Sequence, residues 1–161
     1  MINKIGENRV VGQTKDVGFQ IGARKTFDIS PQQAWDVITS DAGIELWLGE
    51  APSFELTEGV TYQTDNGTKG EVRVVKPGSH IRMTWQPSEW DTPSLIQVRV
   101  FPSGTKTTIG FHQEHLAGPK EREAMRQRWQ KVLQDLPTLF DQLEDNYERQ
   151  NKNADDAERR I

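Results

Sequence analysis

The sequence predicts an α+β domain in which an antiparallel sheet of about six strands packs against one long C-terminal helix. Two short helices follow the first strand. Three observations carry this. Met125, Trp129, Val132, Leu133, Leu136, Leu139, Phe140 and Leu143 recur at the three-and-four spacing of one broad helix face. Before them, residues 59–114 alternate apolar with polar in runs separated by tight-turn dipeptides. Between the first strand and those runs stands "SPQQAWDVITSD", which has the form of a capped helix start.

Taken in order, residues 1–16 are polar and mixed, and read as a loose lead-in. From Val17 the chain alternates through Phe19, Ile21 and Ala23 to Phe27 and Ile29, a strand whose inward set is broken once by Lys25. Ser30 suits an N-cap, Pro31 the first helical position, and Gln33 completes a capping box, so a short helix runs to about Thr39. "DAGIELWLG" reads as a second helix from Asp41, stopped by Gly49. Residues 59–65 and 69–76 flank Asn66-Gly67, a strong hairpin signal, and Pro77-Gly78 turns the chain into a strand at 79–86. A loop at 87–94 carries Trp90; strands at 95–101 and 106–114 then meet at Ser103-Gly104. Gly118 and Pro119 open the last helix, where Pro137 is expected to kink or interrupt it. Residues 148–161 are nearly devoid of apolar side chains and are expected to be frayed or disordered, leaving a domain over 17–147.

The composition narrows the function classes. A chain of 161 residues is most simply one domain with a real core. Net charge is −4 with no basic block, which argues against nucleic acid or anionic lipid as a partner. No apolar run approaches the roughly 20 residues of a membrane helix, so no membrane insertion is expected. Cysteine is absent, which removes thiolate nucleophiles and sulfur-ligated metals; a cytoplasmic protein is expected. No G-x-S-x-G, phosphate-binding glycine loop or H-E-x-x-H is present, and no catalytic residue, cofactor or metal is predicted. In "HQEH", His112 and Glu114 share a strand face, but a third ligand is lacking, and the stretch reads as a solvated strand end.

Parity assigns the sheet faces. Ile81, Met83 and Trp85, then Ile96, Val98 and Val100, then Ile109 and Phe111 point inward, with Gln113 continuing the line; Val60, Tyr62, Val72 and Val74 extend this surface. The sheet and the last helix each have one apolar face, so the two cover each other. Lys25 and Gln113 are polar at inward positions and read as side chains near sheet ends that reach water. Arg24, Arg73, Arg82 and Arg99 fall outward and read as a solvated face.

This order of elements resembles the helix-grip fold of the START-like superfamily. Within it, "FDISPQQAWDVITSDAGIELWLG", "GVTY" at 59–62, "GEVRVVKPGSHIRMTW", "TTIGFHQEHL" and "MRQRWQKVLQDL" are similar to the domain of the activator of the heat-shock-protein-90 ATPase and its bacterial homologues. The resemblance covers about residues 18–143. It implies a sheet curled around the last helix, with a cavity between them that in this superfamily often holds a lipid, polyketide or hormone. The expected role is binding a small hydrophobic or amphipathic ligand. The expected lining is Trp35, Trp47, Tyr62, Met83, Trp85, Val98, Phe111, Met125, Trp129 and Leu133, with Gln113 as a candidate polar anchor. Packing alone would also account for these aromatic residues. The acidic "EAPSFELTEG" is a candidate mouth. The family also implies a co-chaperone module that stimulates a chaperone ATPase, and the START-like superfamily a cyclase- or hydrolase-type enzyme using the same cavity.

Overall fold

A computed structural model describes residues 13–14 and 18–159, with side chains from Gly18 to Leu143. The strands are β1 (Gln13–Thr14), β2 (Gly18–Phe27), β3 (Thr61–Gln63), β4 (Lys69–Lys76), β5 (His80–Trp85), β6 (Ser94–Ser103) and β7 (Lys106–Leu116). The helices are α1 (Pro31–Thr39), α2 (Asp41–Trp47) and α3 (Pro119–Arg159). The sheet order is β1-β2-β7-β6-β5-β4-β3, antiparallel throughout. Six strands make the sheet proper, and β1 adds two residues at its edge. Residues 13–14 of the predicted lead-in are thus paired, to Phe19 and Gly18; residues 1–12 and 15–17 lie outside the described residues. Helix α3 packs across β2 and β7 and touches α1 and α2. This is the α+β helix-grip fold.

The short helices form one folded corner. The Ser30 side chain accepts from the Gln33 N–H at 3.1 Å and the Gln33 side chain accepts from the Ser30 N–H at 2.9 Å, the predicted capping box. Ser40 ends α1 and starts α2: its hydroxyl donates to the Val37 carbonyl at 2.7 Å and accepts from the Gly43 N–H at 3.0 Å. Trp47, at the end of α2, donates its indole N–H back to the Ile38 carbonyl at 2.9 Å. The two helices so present Ala34, Trp35, Val37, Ile38 and Trp47 to the core.

The parity of β5 to β7 holds: Ile81, Met83, Ile96, Val98, Ile109 and Phe111 are all buried. Two bulges alter it elsewhere. On β4 the register slips between Val72 and Val74, so Val72 faces Met83 while Val75, not Val74, faces Ile81 and packs on the core. On β7 the register slips between the pairs Phe19↔Leu116 and Ile21↔Gln113. His115 there adopts φ 62°, and the extra residue returns Leu116 to the buried side.

The interruption expected at Pro137 does not occur. Helix α3 runs through it, with Leu136 fully buried and Phe140 edge-on to Phe27 at 5.0 Å. Tertiary contacts on both sides of the proline outweigh the missing N–H. Pro137→Ala restores a donor for the Leu133 carbonyl and is expected to raise stability by about 1–3 kcal/mol in chemical denaturation. A loss instead would mean that the Phe27–Phe140 contact depends on the proline. The helical backbone also continues through Arg159, into the stretch where disorder was expected. Ala, Glu, Arg, Lys and Gln have high helix propensity even without a face to bury.

Candidate functional site

The eleven residues predicted to line a cavity are all buried: Trp47, Met83, Val98, Trp129 and Gln113 completely, and Trp35, the least so, at 9% exposure. Ten belong to one apolar cluster between sheet and helix. Its centre is filled by rings. Trp129 of α3 stacks on Phe111 of β7 with centroids 4.7 Å apart and planes 5° apart, and Trp47 of α2 leans on Phe111 at 6.5 Å. Trp35 sits on α1, within the same cluster, in none of these ring pairs.

A polar chain is embedded in this cluster. The Trp129 indole N–H donates to the Gln113 side-chain oxygen at 3.0 Å. The Gln113 amide donates to the Ser94 hydroxyl at 2.9 Å, which donates to the Trp85 carbonyl at 2.6 Å. Gln113 therefore does not reach water as expected. The bulge extends β7 past it to Leu116, so it lies inside the sheet, and burial is offset by hydrogen bonds to both ends of its amide. Lys25 does reach water, with its ammonium 5.6 Å from the Phe27 ring.

Arg128 was not predicted and dominates the electrostatics at one end. Its guanidinium lies between two indoles, 5.3 Å from the Trp85 centroid and 5.5 Å from that of Trp129. Its Nη2 donates to the Trp47 carbonyl at 2.8 Å and the Leu48 carbonyl at 3.4 Å, capping the end of α2. Burial pushes its pKa down, and nearby Tyr62 partly opposes this. Tyr62 is itself held protonated by burial, its hydroxyl donating to the Thr84 carbonyl at 2.6 Å. Gly70 makes this possible, because a Cβ there would stand 2.6 Å from the Tyr62 hydroxyl and 2.0 Å from the Thr84 oxygen. Among the described residues no carboxylate forms an ion pair with Arg128.

Two donors here lack partners. The Trp85 Nε1 and the Arg128 Nε are buried without any hydrogen bond. Two half-buried rings carried on loops pack on this part of the cluster: Trp90 is edge-on to Trp85 at 5.4 Å, and Phe54 edge-on to Tyr62 at 5.6 Å. The spacing carried a signal for Arg128, since it stands three residues after Met125 and four before Val132, inside the apolar stripe.

The acidic stretch proposed as a mouth lines a depression on the outside of α2, with Asp41, Glu45, Glu50 and Asp65 around Phe54. Glu50 is held above the usual carboxylate range by a hydrogen bond with Asp65 and by the charges of Glu45 and Asp65. In "HQEH", His112 binds Gln20 at 3.0 Å and lies 3.6 Å from Glu114, while His115 is exposed in the bulge. Among the described residues no cluster of metal-ligating side chains occurs, and no helix is long and apolar enough to cross a membrane.

Solved structures share the fold. CalU16 from Micromonospora echinospora matches with a TM-score of 0.66 at 17% identity, over 75% of each chain. Protein MLL2253 from Mesorhizobium loti matches at 0.64 and 22%, over 76% of this chain and 97% of its own. An HSP90 activator from Plasmodium falciparum matches at 0.61 and 16%, over 74% and 94%. A search of curated proteins by sequence finds no match. The family described as "Activator of Hsp90 ATPase homolog 1-like protein" matches residues 28–141, more than half of the sequence, and the chain belongs to that family.

Proposed function

We propose that the protein binds a small apolar or amphipathic molecule between the sheet and α3, at the end where Trp90 packs on Trp85 and Phe54 on Tyr62. The observation that carries this is the pair of unpartnered buried donors, Trp85 Nε1 and Arg128 Nε, within an otherwise apolar, ring-lined cluster. Buried donors without acceptors destabilise a fold by about 1–3 kcal/mol each, and a ligand acceptor would relieve that. The apolar surroundings supply affinity, and the polar groups fix orientation. Trp85, Met83, Phe111, Met125 and Trp129 would contact the ligand; Trp90 and Phe54, carried on loops, would move to admit it.

An amide NMR titration with fatty acids, flavonoids, sterols and polyketide-like aromatics tests this. Shifts are expected at Met83, Trp85, Phe111 and residues 120–136. No shift with any class would overturn the reading.

A second reading is docking to a chaperone ATPase. It is favoured by the family and by the outer sheet face, where Arg24 and Arg99 line one shallow depression and Arg82 stands one strand away. Arg82→Glu with Arg99→Glu should abolish pull-down of such a chaperone while shifting stability by less than about 0.5 kcal/mol, as exposed substitutions do. Retained pull-down would exclude this face.

A further inference from the structure

The donors at the Arg128 end are not equivalent to those of the rest of the cluster. Trp47, Tyr62, Ser94, Gln113 and Trp129 all donate to an acceptor within the protein. Trp85 Nε1 and Arg128 Nε do not, and each lacks an acceptor rather than a donor. One of the two is part of a permanent cation. Its charge is met by two carbonyl oxygens and two indole faces, all of them neutral. Capping of α2 explains the Nη2 contacts. It leaves the Nε edge of the guanidinium unexplained, together with the indole N–H of the ring it stacks on. A neutral acceptor would complete the hydrogen bonding but leave the partly buried charge uncompensated, whereas an anion does both. Because Nη2 already donates to two carbonyls, the guanidinium offers a carboxylate one charge-assisted bond, from Nε–H.

We propose that the site selects amphiphiles whose polar end is a carboxylate, held by the Arg128 guanidinium edge and the Trp85 indole N–H, with the apolar remainder against the ring cluster. This rests on the ligand-binding reading above and specifies the class of ligand that site takes. The carboxylate enters beneath Trp90, the half-buried ring packed edge-on against Trp85. The acids of the outer depression sit around Phe54, and none of them pairs with Arg128.

The test is calorimetric titration of the full chain with dodecanoate and with dodecanol, each below its aggregation concentration, at neutral pH. Dodecanoate is expected to bind at least about tenfold more tightly, the scale of one charge-assisted pair in partly apolar surroundings. It should move the Trp85 indole N–H resonance. Arg128→Gln should bring the acid down to the affinity of the alcohol. Equal binding of acid and alcohol to the wild-type protein would overturn the proposal while leaving ligand binding intact. So would an unmoved Trp85 resonance on acid binding. Binding of neither probe overturns the carboxylate proposal, whereas the ligand-binding reading falls only if the wider amide titration also gives no shift with any class. The wild-type comparison stands even if Arg128→Gln fails to fold.

Discussion

Trp129→Ala is expected to lower stability by about 3–5 kcal/mol, at the upper end for a buried aromatic residue. The side chain is fully buried and contributes half of the parallel stack with Phe111, so its removal opens a cavity where helix meets sheet. It also takes away the donor that satisfies the Gln113 oxygen, leaving a buried acceptor unpaired. Typical stabilities are about 5–15 kcal/mol, so this one change could consume most of the total. Trp129→Phe separates the two effects: the stack is kept, the N–H is lost, and a cost of about 1–2 kcal/mol is expected. Urea denaturation of both variants is the measurement. A loss below about 2 kcal/mol for Trp129→Ala would show that the surrounding side chains collapse into the space.

Gly43→Ala should cost about 3 kcal/mol, the upper end for overpacking, although it adds a single methyl group. A Cβ at this position would lie 1.8 Å from the Val37 carbonyl oxygen and 2.9 Å from its carbon, so the obstacle is backbone. Relief requires α1 and α2 to part. That would break both Ser40 hydrogen bonds across their junction and lengthen the Trp47 contact with Ile38. Gly59→Ala is the control: it also has an awkward backbone, φ 88°, but nothing within 4 Å of the added carbon. Its cost should be limited to the left-handed conformation, about 1–2 kcal/mol. Thermal melts that rank the two variants equally would refute steric exclusion at the junction.

The sequence made the architecture legible because its periodicities are undisturbed where they matter most. The alternation of β5 to β7 sorted Met83, Val98 and Phe111 inward, and the stripe of α3 placed Met125, Trp129 and Leu133 opposite them. The errors arose where one residue interrupts a period. Alternation assigns Val74 to the core, and a bulge gives that place to Val75. Gln113 looked close to a strand end because the bulge at His115 hides the continuation to Leu116. Arg128 escaped for another reason: hydropathy treats an arginine as a surface residue, although a guanidinium can be buried against indole faces and carbonyls. Composition likewise could not foresee that α3 keeps its helical backbone beyond Tyr147.

The pairing of β2 with β7 has a kinetic consequence. Phe27 lies beside Thr107 and Ile21 beside Gln113, so the first long strand finds its principal partner only after most of the chain has been made. During synthesis the hairpins of β4 to β7 can assemble locally, while β2, α1 and α2 must wait. Contacts of such sequence separation close slowly, because loop-closure entropy is lost before they form. Helix α3, which rests on both β2 and β7, then completes the structure last. Refolding should accordingly show early sheet signal, with burial of Trp129 appearing in the final phase.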